Sequence, residues 1–126
     1  MTNLPPKRNF IGIVGPCSAG KSTLIRNLQR KGYICRHIAQ EHSYVPQMWQ
    51  KIVNPLVLIY LDVSYEVSIH RRPLNLSAAE FDEQKKRLEH AYQNADIYLF
   101  TDPLSPEEVF ADVLTSLEDQ NIQPQL

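Results

Sequence analysis

The stretch IVGPCSAGKSTLI, Ile13 to Ile25, decides how this chain folds. Within it, Gly15, Pro16, Cys17, Ser18, Ala19, Gly20, Lys21 and Ser22 satisfy the pattern G-x-x-x-x-G-K-[ST] at every fixed position, and Thr23 follows. The spacing has a mechanical reason. Glycines let the backbone turn successive N–H groups inward without Cβ clashes. A helix beginning near Lys21 then points its unpaired N–H groups and positive dipole end at the same place. Such a loop wraps the phosphates of a nucleoside triphosphate, with the Lys21 ammonium on the β- and γ-phosphates and the Ser22 hydroxyl on Mg²⁺. From ordinary residue frequencies, a chance match anywhere in this chain is roughly a few parts per thousand. Its setting between an apolar strand and an amphipathic helix makes coincidence rarer still.

Working outward, residues 10–14 (FIGIV) read as a buried strand. Leu24, Ile25 and Leu28 lie on one face of a helix from Lys21 to Lys31 that Gly32 ends. Residues 33–39 (YICRHIA) alternate as a second strand. Residues 40–56 are the least legible, bracketed by Pro46 and Pro55, with room for one or two helical turns in VPQMWQKIV. LVLIYLDV (56–63) is apolar on both alternating faces, as a central parallel strand requires. A short helix from about Tyr65 stops near Arg72, because Pro73 breaks it. Ser77 and Glu80 have capping-box spacing and open a helix to about Asn94, with Phe81, Leu88, Ala91, Tyr92 and Ala95 inward. DIYLF (96–100) is the fourth strand. Ser105, Pro106, Glu107 and Glu108 start a last helix with an apolar stripe from Val109 to Leu117. The expected architecture is a single small three-layer α/β/α domain over residues 1–126. Its mostly parallel sheet has about four strands in the order 2-1-3-4, and 1–8 and 120–126 are frayed tails.

Composition narrows the setting. The chain has 126 residues, 43% hydrophobic and 21% charged, with a net charge of −1. That balance gives no pull toward nucleic acid or an anionic membrane. The N-terminus lacks the apolar core of a secretory signal, and no apolar run is long enough to span a bilayer. Two cysteines, Cys17 and Cys35, fit a reduced cytoplasmic protein.

The loop and its flanking strand resemble the P-loop NTPases. The chain as a whole looks like the branch that contains nucleoside monophosphate, shikimate and gluconate kinases. LVLIYLDVSYEVSIHRR resembles the segment in which a late strand ends in L-D-V and a helix delivers an arginine to the phosphates. RRPLN resembles the start of the shikimate-kinase lid, and KRLEHAYQNADIYLFTD with SPEEV resembles the closing helix, edge strand and last helix. The resemblance implies an ATP·Mg²⁺ complex as ligand, with the loop from Thr101 to Leu104, Asp102 and Pro103 included, against the adenine. Two departures stand beside it. The extra strand usual before L-D-V is missing, and only four residues separate Arg72 from Ser77.

Outside the loop, each candidate carries a plainer alternative. Asp62 ends an apolar strand and is a candidate Mg²⁺ ligand, or a cap for the helix near Ser64. Glu41 follows the second strand at the ligand-binding edge and is a candidate general base, or a solvated loop carboxylate. His37 and His42 flank it at a spacing poor for a metal on helix or strand. Arg71 and Arg72 are candidates to stabilise transferring phosphate charge, or simply cations at a helix C-terminus. Lys85, Lys86 and Arg87 read as a solvated face, with Arg87 the best functional candidate of the three, and Cys17 as a small filler of an unconstrained loop position or a thiol made reactive by the helix N-terminus. Tyr44, Met48 and Trp49 line an acceptor pocket or belong to the core. These residues lead to the expectation of a kinase-like phosphotransferase with an unidentified small-molecule acceptor, and of a homodimer as one way for a second copy to complete its walls. The alternative is a nucleotide-binding regulatory module with little catalysis. A GTPase-type switch ranks third, since no N-K-x-D motif is present.

Overall fold

The apolar run ending at Asp62 forms the strand that is covered on both faces. In a computed structural model, which describes residues 4–72 and 75–125, it is β3 (Pro55–Asp62), with every residue buried except Leu56. Beside it run β1 (Arg8–Val14), β2 (Cys35–His37) and β4 (Ile97–Phe100). All pairings are parallel and the order is β2-β1-β3-β4. The helices are α1 (Lys21–Arg30), α2 (Tyr65–Arg71), α3 (Ala78–Arg87), α4 (Glu89–Asn94) and α5 (Pro106–Asp119). No helix among the described residues is long and apolar enough to cross a membrane.

Register sorts the core onto two faces. Ile11 pairs with Val57, Ile13 with Ile59, and Ile59 with Ile97. These side chains meet Leu24 and Leu28 of α1 and Val109, Val113 and Leu117 of α5. The alternate positions Val14, Leu58 and Tyr60 meet Trp49, Leu88 and Ala91 on the other face. Burying each such aliphatic side chain stabilises the fold by about 1.5–3 kcal/mol relative to exposure.

Several boundaries differ from expectation, each for a local reason. The second strand holds only Cys35–His37 rather than 33–39. Tyr33 cannot start it, because its N–H is donated back to Leu28 O at the end of α1. After His37 the chain bends into a 3₁₀ turn over Gln40–His42, and a single π turn over Trp49–Val53 follows. The helix expected over 77–94 is broken at Leu88, where ψ rises to −4° and the N–H is shared among the carbonyls of Gln84, Lys85 and Lys86. Tyr92 consequently lies half-exposed and packs edge-on against Tyr60 and Tyr98.

The described parts of the expected frayed tails, residues 4–8 and 120–125, make specific contacts. Arg8 is part of β1, and Asn54 donates its side-chain amide to Pro5 O at 2.6 Å. Gln125 donates its N–H to Gly32 O at 2.9 Å and accepts from Asn9 Nδ2. Ile122 packs against the core, and its carbonyl accepts from Tyr33 OH. Pro73 and Leu74, half of the expected short lid, lie outside the described residues.

Candidate functional site

The glycine-rich loop leaves the C-terminal end of β1 and enters α1. Because β1 is flanked by β2 on one side and β3 on the other, this is the point where strand order reverses, the usual ligand crevice of an open parallel sheet. Gly15 has φ 155°, and a Cβ there would lie 2.1 Å from the Leu61 carbonyl oxygen. No other residue type fits. Gly20 has φ 95° with open space around it, so backbone conformation rather than crowding calls for glycine. Ser18 also adopts positive φ, at 64°.

The first turn of α1 differs from those of its neighbours. Ser64 caps α2, while Ser77 with Glu80 and Ser105 with Glu108 form full capping boxes on α3 and α5. No side chain caps α1 and no acidic residue sits in its first turn. Its N-terminal N–H groups therefore face the loop without a side-chain acceptor, as an anion site requires.

Lys21 is buried beneath this loop. Its Nζ donates to Gly15 O, to Pro16 O at 3.2 Å and to Glu41 Oε2 at 2.8 Å. Glu41 is only 2% exposed. Burial pushes its carboxyl pKa up, but the His37 hydrogen bond and the Lys21 charge outweigh this and hold it at about 2. The 3₁₀ turn makes this convergence. It places His37 Nε2 3.4 Å and His42 Nε2 3.9 Å from Glu41 Oε2. Glu41 is thus a buried carboxylate paired with the loop lysine, and not a solvated one.

Two clefts meet around the loop. One of about 420 Å³ is lined by Cys17 through Thr23, His37, Glu41 and Arg72. The other, of about 280 Å³, lies between the loop and the start of α5 and includes Leu24, Arg71, Thr101, Leu104 and Val109. Ser18, Ala19, Gly20, Thr23 and Arg72 line both, so the clefts share a wall made of the loop and Arg72. Arg71 donates to Thr101 O at 2.6 Å, Thr101 Oγ1 at 2.9 Å and Ser18 O at 3.3 Å. The expected pair Asp102 and Pro103 does not line the second cleft. Asp102 Oδ1 instead accepts from Ser64 N at 2.9 Å, while Thr101 and Leu104 on either side form the wall.

Asp62 is placed elsewhere. It lines a third cleft with Tyr60, Lys85 and Tyr98, where it pairs with Lys85 and accepts from Tyr98 OH at 2.6 Å. Both carboxylate oxygens are engaged, and the helix cap it might have supplied comes from Ser64. The expected metal partner of Ser22 is therefore not brought to Ser22's cleft. The basic run divides as well. Lys85 is an ion-pair partner rather than part of a solvated face. Arg87 donates to Glu41 O at 3.3 Å and lies 4.5 Å over the Tyr44 ring. Lys86 is exposed. Tyr44 is 84% exposed, whereas Trp49 is core and donates to His90 Nδ1 at 3.0 Å.

Two glutamines with structural roles went unnoticed in the sequence. Gln84 accepts from Cys17 N at 3.1 Å and donates to Cys17 Sγ at 3.1 Å, fastening the loop to α3. Its signal was present: Gln84 falls on the stripe of Phe81, Leu88 and Ala91, a polar residue on a buried helix face. Gln40 is fully buried, donates to Val45 O and Arg87 O, and accepts from Trp49 N, holding the 40–49 segment in place. No local pattern announces it. No family model matches the chain, and no curated protein matches it.

Proposed function

We propose that this protein binds ATP with Mg²⁺ in the loop Gly15–Thr23, as a P-loop NTPase, and transfers the γ-phosphoryl group to a small-molecule acceptor. One observation carries the reading. The helix start that follows the glycine loop has no side-chain cap, unlike the starts of α2, α3 and α5 (α4 continues from α3 at Leu88), and it lies at the strand-order reversal with a buried lysine beneath it. Phosphate oxygens would accept from those N–H groups and from Lys21. The base would lie in the apolar second cleft between Leu104 and Val109.

The residues present fit Mg²⁺ in one respect: the exposed Ser22 opens into the loop cleft, and a hydroxyl beside phosphate oxygens and water is a suitable donor set for this ion. Bound there, the ion would neutralise phosphate charge. The chain's own residues would do the rest. Arg72, facing both clefts, would balance charge on the transferring group, with Arg71 positioned by Thr101 and Ser18. Glu41 would serve as base only after Lys21 turns from it toward phosphate, which removes one of the influences that depress its pKa and leaves the His37 hydrogen bond as the other main one.

A second reading, a nucleotide-binding module with little transfer activity, is favoured by one fact. Among the described residues Glu41 is the single carboxylate lining the loop cleft, and it is already paired. A screen of ADP release over nucleosides, sugars and carboxylic acids separates the two. Transfer predicts acceptor-dependent release that Lys21→Ala lowers by orders of magnitude. Release that no acceptor stimulates leaves the module reading standing.

A further inference from the structure

Glu41 is in contact with more than the lysine. Cys17 Sγ, a Glu41 carboxylate oxygen and a His42 ring nitrogen all lie within 4.8 Å of one another. The three come from two places: Cys17 from the loop, and Glu41 and His42 from the 3₁₀ turn after β2. We propose that they form a binding site for a borderline divalent metal ion of the Zn²⁺ class, at the rim of the loop cleft.

Three observations support it. Thiolate, imidazole and carboxylate together are the donor set that such ions take, and hard ions such as Mg²⁺ do not select it. The carboxylate has capacity to spare. Glu41's side chain is 3% exposed, and although Oε2 holds Lys21, Oε1 is buried with no hydrogen-bond partner in the described structure. An unsatisfied buried carboxylate oxygen calls for a ligand. The sulfur is also prepared as an acceptor. Cys17 N donates to Gln84 Oε1, which fixes the amide so that its Nε2 can only face Sγ, and it donates there at 3.1 Å. A hydrogen bond to sulfur from a buried outer-shell residue is what orients a metal-bound thiolate.

The site would supply three protein ligands, with His42 on the exposed side and the fourth position open to water. His37 Nε2, 3.4 Å from Glu41 Oε2, stands ready to brace that carboxylate. Binding displaces the Cys17 thiol proton to solvent and takes His42 as neutral imidazole, with no oxidant or reductant needed. The nearby Lys21 ammonium opposes the ion, which distinguishes this site from a closed structural zinc centre. The assignment does not depend on nucleotide binding.

Titration of the full chain with Co²⁺ and with Zn²⁺ alone, without nucleotide and under reducing conditions, tests it. The expected result is one ion per chain, a sulfur-to-cobalt charge-transfer band bleached by Zn²⁺, and one proton released per ion. His42→Ala, a surface change, and Cys17→Ser each weaken binding at least ~10-fold. Far-ultraviolet circular dichroism checks that both variants fold, and if Cys17→Ser does not, the His42→Ala affinity and the wild-type charge-transfer band decide alone. Absence of the band, or wild-type affinity in His42→Ala, overturns the proposal. So does loss in His42→Ala with none in folded Cys17→Ser, which marks a histidine-only surface contact.

Discussion

Removing the ammonium of Lys21 should destabilise the ligand-free protein more than a surface lysine could. Lys21 and Glu41 are 8% and 2% exposed and 2.8 Å apart, so the pair is shielded from solvent. Breaking a buried pair from one side costs about 3–5 kcal/mol, because the remaining charge is left uncompensated. His37 still lies 3.4 Å from the carboxylate, which places Lys21→Met near the low end, at about 3 kcal/mol. Glu41→Gln leaves the ammonium its two loop carbonyls and should cost about 2 kcal/mol. With a charge-assisted hydrogen bond contributing about 2 kcal/mol of coupling, the double variant should lose about 3 kcal/mol rather than the additive sum. In a domain of this size, 3 kcal/mol corresponds to a fall in Tm of roughly 11 °C. Urea unfolding of the four proteins measures the cycle, and 1 M salt should leave it nearly unchanged because a buried pair is little screened. Additivity within ~0.5 kcal/mol, or a coupling that salt abolishes, would refute the buried pair.

Further outcomes follow from other sites. Gly15→Ala drives a Cβ to 2.1 Å from the Leu61 carbonyl oxygen, so it should displace the loop and destabilise by more than ~2 kcal/mol, while Gly20→Ala, with open space, should cost less; paired unfolding curves rank them. Asp62→Asn should lower stability by about 1–2 kcal/mol through Lys85 and Tyr98 yet leave ATP affinity unchanged, and calorimetric titration showing lost affinity would restore Asp62 to the ligand site. Cys35 is buried and its thiol pKa is pushed up to about 12, so alkylation of native protein should modify Cys17 alone. The unfolded thiol ionises near 9 while the folded one stays neutral, so stability should fall by about 1.4 kcal/mol per pH unit from pH 9 toward 12. Cys35→Ala should flatten that slope, with buried Tyr60 and the half-exposed Tyr98, whose pKa values are both raised, adding their own loss above pH 10.

The frame of this fold was legible because its signals are local. The strand of β3 announces itself by apolarity on both faces, and the starts of α3 and α5 by Ser77 with Glu80 and Ser105 with Glu108. The loop's glycines mark where backbone geometry admits nothing else. What the sequence hid depends on contacts between distant residues. The five-residue gap between His37 and His42 suits neither helix nor strand, and only the 3₁₀ turn brings both rings to the Glu41 carboxylate. Asp62 could be placed at a strand end, but its partner Lys85 lies 23 residues on and Tyr98 another strand away. The break at Leu88 is likewise silent, since every residue from Ala78 to Asn94 tolerates helix. The fixing of the terminal segments is equally non-local, since Gln125 and Pro5 are held by hydrogen bonds to Gly32 and Asn54.

Nucleotide binding by the loop is measured by isothermal titration with ATP and Mg²⁺. Binding should be saturable and one-to-one, and Lys21→Met should weaken it roughly 100-fold, the loss of a strong charge-assisted hydrogen bond. ATP at 100 times its Kd should also stabilise the fold by about 2.7 kcal/mol. Heats that never saturate up to millimolar ATP, in a protein shown to be folded, would contradict nucleotide binding by the loop.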